Sequence, residues 1–285
     1  MRLTRLLIIP CLILSLAIDS RAAEESDESP VILAIFAHPD DETSVAPLLA
    51  KYAREGARVY LAIATDGRFG VTEHAGLPAG DELAQIRAEE AHCAADKLGI
   101  NPPYFLGFQD GFSHKTDNQD QLLELLVLLH ERVRSLFAEL RPQAVITWGP
   151  EGGYGHSDHR MVSNIVSEVF QEGASTWPQQ LLFPGFSTDR LRNLSPESRG
   201  ALTQWFADNW HPVNETLLDV RISYTDADWL AAKAALGCHA SQFSLDDVEQ
   251  LAKLTESLLD GAVTLRSWKR NTATDAEVTG ETGTN

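Results

Sequence analysis

Basic residues are scarce in this chain: 23 lysines and arginines stand against 41 aspartates and glutamates, a formal charge of -18. Such a surface repels phosphates, which excludes nucleic acid and anionic membranes as partners. Cysteine is scarcer still, with Cys11, Cys93 and Cys238 only. Cys93 and Cys238 leave two alternatives open, one disulfide or two buried thiols. No glycine-rich dinucleotide fingerprint occurs, because the loop around Gly67 lacks its spacing, and a nucleotide cofactor is set aside. Internal repeats and coiled-coil patterns are also missing. The apolar run Leu6 to Ile18 is too short for a comfortable membrane span. Arg2 and Arg5 precede it and Ser20-Arg21-Ala22-Ala23 follows it, the layout of a signal peptide over residues 1–22. Export to a periplasm or to the exterior is therefore expected.

What the chain does have is 44% hydrophobic residues, enough to bury a sizeable core. Val31 to Ala37 is a continuous apolar run of the kind buried on both faces of a parallel sheet. Similar strands are expected at 58–64, 104–107 and 144–148, with a further one at 217–222. Helices are expected at 43–55, 81–98 (closed by Gly99), 120–140, 157–170, 226–239 and 245–259. Strands alternating with helices predict one α/β domain, residues 23–270, with a mostly parallel sheet covered on both faces. Residues 172–213, interrupted by Pro178, Pro184 and Pro212, match no pattern, and the Thr-, Glu- and Gly-rich residues 271–285 are expected to be disordered.

Two clusters carry chemistry. Pro39 ends the first strand, and His38, Asp40 and Asp41 follow at its carboxyl end, where open α/β sheets place ligands. His156, Ser157, Asp158 and His159 follow the 144–148 strand. A catalytic zinc site uses three protein ligands and leaves one position to water. His38, Asp41 and His159 supply that set, and Asp40 remains to take the proton of the water. His156 and Asp158 flank Ser157, and an imidazole held by a carboxylate can stabilise an oxyanion or assist a leaving group. Tyr154, in a glycine-flexible loop, reaches toward the same charge.

These residues resemble the PIG-L/LmbE-type zinc-dependent N-deacetylases. The likeness runs from Ala37-His38-Pro39-Asp40-Asp41-Glu42 through Thr65 to Gly70, Arg87, Glu90 and Leu106 to Gly111. It continues through Arg141 to Thr147 and Gly155 to His159, and ends at His239-Ala240-Ser241-Gln242. It implies a Rossmann-like three-layer sandwich, with zinc or another divalent transition metal on His38, Asp41 and His159. By the same resemblance Asp40 is the general base, His156 with Asp158 the oxyanion-stabilising or acid residue, and Tyr154 a mobile loop tyrosine. Arg87 and Asp110 match positions that hold the sugar. The substrate implied is a small molecule or glycan whose acetyl group is removed from an amide nitrogen. The expected leader sets the chain apart from the cytosolic members that make low-molecular-weight thiols. Two rival readings are an amidase acting on another conjugate and a non-catalytic, metal-stabilised carbohydrate-binding protein.

Overall fold

In the computed structural model the described residues are 29–116, 118–173, 178–193 and 201–268, and the expected leader and the expected 271–285 tail lie outside them. The strands are β1 (Val31–Phe36), β2 (Arg58–Thr65), β3 (Tyr104–Phe108), β4 (Ala144–Thr147), β5 (Gln180–Pro184), β6 (Val220–Ser223) and β7 (Ala262–Ser267). They form one sheet in the order β3-β2-β1-β4-β5-β7-β6. The first five are parallel neighbours, while β7 runs antiparallel to both β5 and β6. Strand β1, apolar along its whole length, lies between β2 and β4 and is buried at every residue.

The pleat of β1 divides the core. Ile32, Ala34 and Phe36 pack on one face beneath α1 (Ala46–Arg54), α2 (Asp81–Leu98) and α7 (Asp226–Leu236). Leu33 and Ile35 point to the other, under α3 (Gln119–Leu140) and α4 (Ser157–Glu172). The result is the expected α/β sandwich with a mostly parallel sheet, and α8 (Leu245–Leu259) adds a further helix beside α7.

Several local expectations are corrected. Instead of one helix over 43–55, a 3-10 turn at Asp41–Ser44 comes first and α1 begins at Ala46, with Pro47 in its opening turn. Proline is suited to that first turn, where no intrahelical N–H bond is lost. The 217–222 strand divides into a 3-10 turn at Glu215–Leu217 and β6. Strands β5 and β7 lie where no strand was expected, as do two short helices, α5 (Thr188–Arg192) and α6 (Ala201–Asn209). Cys93 of α2 and Cys238, just past α7, form a disulfide with a Cα–Cα distance of 5.8 Å, the first of the two open alternatives. Among the described residues, no helix is long and apolar enough to cross a membrane.

Candidate active site

The sheet order changes direction between β1 and β4, and ligands in open α/β sheets bind at that crevice. The loops leaving these two strands carry the two motifs, so the topology brings them together. His38 Nδ1 lies 3.1 Å from His159 Nε2, and His159 Nε2 lies 3.2 Å from Asp41 Oδ1. His38 Nδ1 is 3.7 Å from Asp41 Oδ2. Ligands placed 2.0–2.1 Å from a tetrahedral zinc stand roughly 3.3 Å apart.

Each of the three is held from behind. Asp41 Oδ2 accepts the backbone N–H groups of Ala37 (3.0 Å) and His38 (2.9 Å) and the indole N–H of Trp148 (2.9 Å), which leaves Oδ1 for the shared position. His159 Nδ1 faces the carbonyl of Gly152 at 3.1 Å, so this nitrogen carries the proton and Nε2 presents a lone pair. Trp148 stacks on the same ring at 4.8 Å. His38 Nε2 donates to Asp110 Oδ1 at 3.2 Å, with Asp158 Oδ2 at 3.6 Å. With His38 neutral and its proton on Nε2, two lone pairs would face each other at 3.1 Å in a buried site, an arrangement that calls for a cation between them. The surrounding carboxylates favour positive charge at this point, whether carried by a proton or by a metal ion. Burial opposes charge on His38, yet Asp110, Asp158 and Asp41 outweigh it and push the imidazole up to about 10. Burial would raise Asp41, but His159, His38 and Trp148 hold it well below the usual carboxylate range. The donor set fits a divalent metal with carboxylate-backed histidines.

Asp40 points elsewhere. Its φ of 101° is uncommon for a residue with a side chain, and four contacts fix it. Its N–H donates to Glu42 Oε2 at 3.1 Å, and its carbonyl accepts from Thr43 Oγ1 at 2.6 Å and Thr43 N at 3.1 Å. Its carboxylate accepts from Arg87 Nη2 at 2.8 Å. Burial raises its pKa against the pull of Arg87, with Asp41 adding to the rise, to about 6.

The structure redirects one of the sequence-based assignments, the pairing of Asp158 with His156, and gives Asp110 and Arg87 contacts beyond the expected one. Asp158 does not pair with His156 through its carboxylate; it accepts from Gly111 N at 2.8 Å, Ser113 N at 3.1 Å and Ser113 Oγ, and backs His38. His156 instead accepts the Asp158 N–H at Nδ1 (3.3 Å), which caps α4. That contact places its proton on Nε2. Burial, with His38 and His159 close by, lowers its pKa to about 4. Asp110, expected at the sugar, has both oxygens engaged, by His38 and by Phe69 N at 3.0 Å. Arg87, also expected at the sugar, is buried and holds the carbonyls of Pro39 and Gly67 as well as Asp40. Gly67, at φ 65°, lets this guanidinium pass so close that a Cβ would collide with it. Tyr154 lies beside the site, its ring 5.2 Å from His159 and 5.9 Å from His156. Burial and the nearby Asp41 and Asp40 keep its hydroxyl protonated.

Sequence reasoning missed Trp148 and Ser113 in these roles, along with the fully buried pair of Glu42 Oε1 and His239 Nε2 at 2.6 Å. The only signal for that pair was that both residues lie in segments that carry the resemblance. His130, Glu168 and Glu172 also cluster, but they lie away from this crevice on α3 and α4 with two of the three exposed.

A family model described as GlcNAc-PI de-N-acetylase, PIG-L, matches residues 33–170. A 1D-myo-inositol 2-acetamido-2-deoxy-alpha-D-glucopyranoside deacetylase of Catenulispora acidiphila is 31% identical over 252 residues, 78% of this chain and 83% of the relative. One of the same name from Mycolicibacterium vanbaalenii is 30% identical over 237 residues, 76% and 82% of the two chains. Among solved structures, the N,N'-diacetylchitobiose deacetylase of Pyrococcus horikoshii superposes with a TM-score of 0.58 at 18% identity, covering 85% of this chain and 84% of that one. The 4-carboxy-2-hydroxymuconate hydratase of Pseudomonas putida does so with 0.57 at 16% identity, covering 85% and 98%. At such identities these two structures establish the fold alone. The expectation of export is overturned by the curated relatives. They are deacetylases of a small glycosyl inositol, the kind of enzyme from which the supposed leader had set this chain apart.

Proposed function

The chain belongs to the PIG-L family, and on that premise we propose that it is a metal-dependent N-deacetylase of an N-acetylated amino sugar or glycoconjugate. One observation carries the reading: His38 Nδ1 and His159 Nε2 confront each other at 3.1 Å beside Asp41, with the carboxylate of Asp40 left outside the set. A closed structural site has no use for such a carboxylate. The names of the curated relatives support the choice of an acetylated amino sugar.

Zinc held by His38, Asp41 and His159 would supply Lewis acidity toward an amide carbonyl and acidify a bound water. Asp40, poised near 6, takes the proton of the attacking water, and Arg87 keeps its carboxylate aimed. His156 offers Nε2–H and Tyr154 its hydroxyl to the oxygen that gains charge, both without needing to be cationic. The proton that Asp40 takes from the water then passes to the departing nitrogen.

Elemental analysis of the purified protein, combined with acetate release from N-acetylated sugars including a glucosaminyl inositol, tests the proposal. About one divalent metal per chain and metal-dependent acetate release are expected. Chelation should abolish turnover and zinc should restore it. Full activity after the metal has been stripped would refute the assignment.

A further inference from the structure

Two glycines near the crevice make room for an arginine. Gly67 does so for Arg87, which holds Asp40. Gly149 does so for Arg266: a Cβ there would occupy the place of Arg266 Nη2 and crowd both carboxylate oxygens of Glu151. Arg266 lies on β7 with its guanidinium 5.5 Å from the centre of the Phe183 ring, and its Nη2 donates to Glu151 Oε2. The two side chains are only 18% and 17% exposed, so solvent and salt screen this pair less than one on the open surface. The chemical steps need neither residue.

What the pair holds is the turn that leaves β4. Gly152, Gly153 and Gly155 all have positive φ, and a backbone so rich in glycine does little to fix its own position. Yet this turn has two exacting tasks. The Gly152 carbonyl faces His159 Nδ1 at 3.1 Å, which leaves the lone pair of that ring on Nε2. Tyr154 must also stand with its ring 5.2 Å from the same imidazole. Glu151 immediately precedes this stretch. Its carboxylate is tied to the sheet by Arg266, and its carbonyl accepts from Arg160 Nε of α4 at 3.1 Å. One residue thus joins the turn to a strand and to a helix.

We propose that Glu151 and Arg266 are a positioning pair, anchoring the glycine turn to β7 so that the Gly152 carbonyl stays on His159 and Tyr154 stays over the crevice. The inference rests on the metal-site and hydrolase reading above and names the device that keeps two of its groups in place.

Zinc affinity is measured by competition with a chelating dye, and the cobalt-substituted protein is read by its visible absorption, which reports the geometry at the metal. Glu151→Gln is expected to weaken zinc binding about tenfold, as changes behind a metal ligand do, and to shift the cobalt bands. At saturating zinc its kcat for an N-acetylated sugar should fall about tenfold, with KM changed less than about twofold. Arg266→Gln should do the same, and the double variant should lose no more than either single one, because the two side chains act as a unit. Gly149→Ala, which displaces Arg266, should reproduce the loss. Arg221→Gln breaks a different ion pair on β6, the neighbour of β7, with Asp260 at 3.7 Å, and should leave zinc affinity and kcat unchanged. Wild-type zinc affinity and kcat in Glu151→Gln, additive losses in the double variant, or equal losses in Arg221→Gln overturn the inference and leave the deacetylase reading intact. Weakened zinc binding in the pair variants, with no acetylated sugar cleaved even by the wild type, upholds the positioning pair and sinks the proposed function instead.

Discussion

Asp40 shows how a single residue can be held in an uncommon conformation for a purpose. Its left-handed backbone turns the side chain away from the ligand set, and Glu42, Thr43 and Arg87 hold it there. Asp40→Asn removes the base without touching a ligand. We expect full metal content by elemental analysis and a loss of acetate release on the order of 10²–10⁴-fold; turnover near wild type would sink the base assignment. Glu42 acts one step further back, bound to His239 on one oxygen and to the Asp40 N–H on the other. Burial alone would keep His239 neutral, but Glu42 raises its pKa. Glu42→Gln should lower kcat roughly tenfold through a loosened Asp40 turn, with KM changed less than about twofold. An equal rise in KM would instead point to direct substrate contact.

At the scale of elements, the helices with clear apolar periodicity and caps were legible, and α2 and α8 fall where the sequence places them. Strands β5 and β7 were not. Each is defined by pairing with a distant partner, such as Phe183 with Arg266, which local pattern does not report. One element contact makes a pH prediction. Arg54 of α1 bonds both oxygens of Asp228 in α7 at 2.8 and 3.0 Å. Arg54 first, and then Thr225, hold Asp228 down at about 2. Its folded pKa thus lies below the unfolded value of about 3.9. The stabilisation is present above about pH 4 and is lost as pH falls through about 2. With Arg54 44% exposed, solvent screening keeps the contribution small. The urea midpoint of Asp228→Asn should lie below wild type at pH 7, and the gap should shrink as pH falls toward and below about 2. A gap that persists at low pH would contradict the ion-pair account.

For the whole molecule, the Cys93–Cys238 bond ties α2 to the segment carrying His239 and Ser241, and Ser241 in turn bonds Glu90 of α2 through both its N–H and its hydroxyl. The loop it closes spans 145 residues, so chain entropy allows up to about 5 kcal/mol of stabilisation. A non-reducing peptide map should recover the two cysteines in one linked fragment, and reductant should lower the melting temperature. Two separate thiol peptides would restore the alternative that the sequence left open.

The sequence alone determined the α/β alternation, the three candidate ligands and the spare carboxylate, because apolar runs and adjacent side chains are local properties. Tertiary structure decided the rest. Only the placement of β4 beside β1 brings residues 121 positions apart to 3.1 Å. The same placement moved Asp158 and Asp110 behind His38 and turned Arg87 onto Asp40. A buried polar side chain must satisfy itself with whatever the fold sets next to it, and no spacing along the chain records that neighbour.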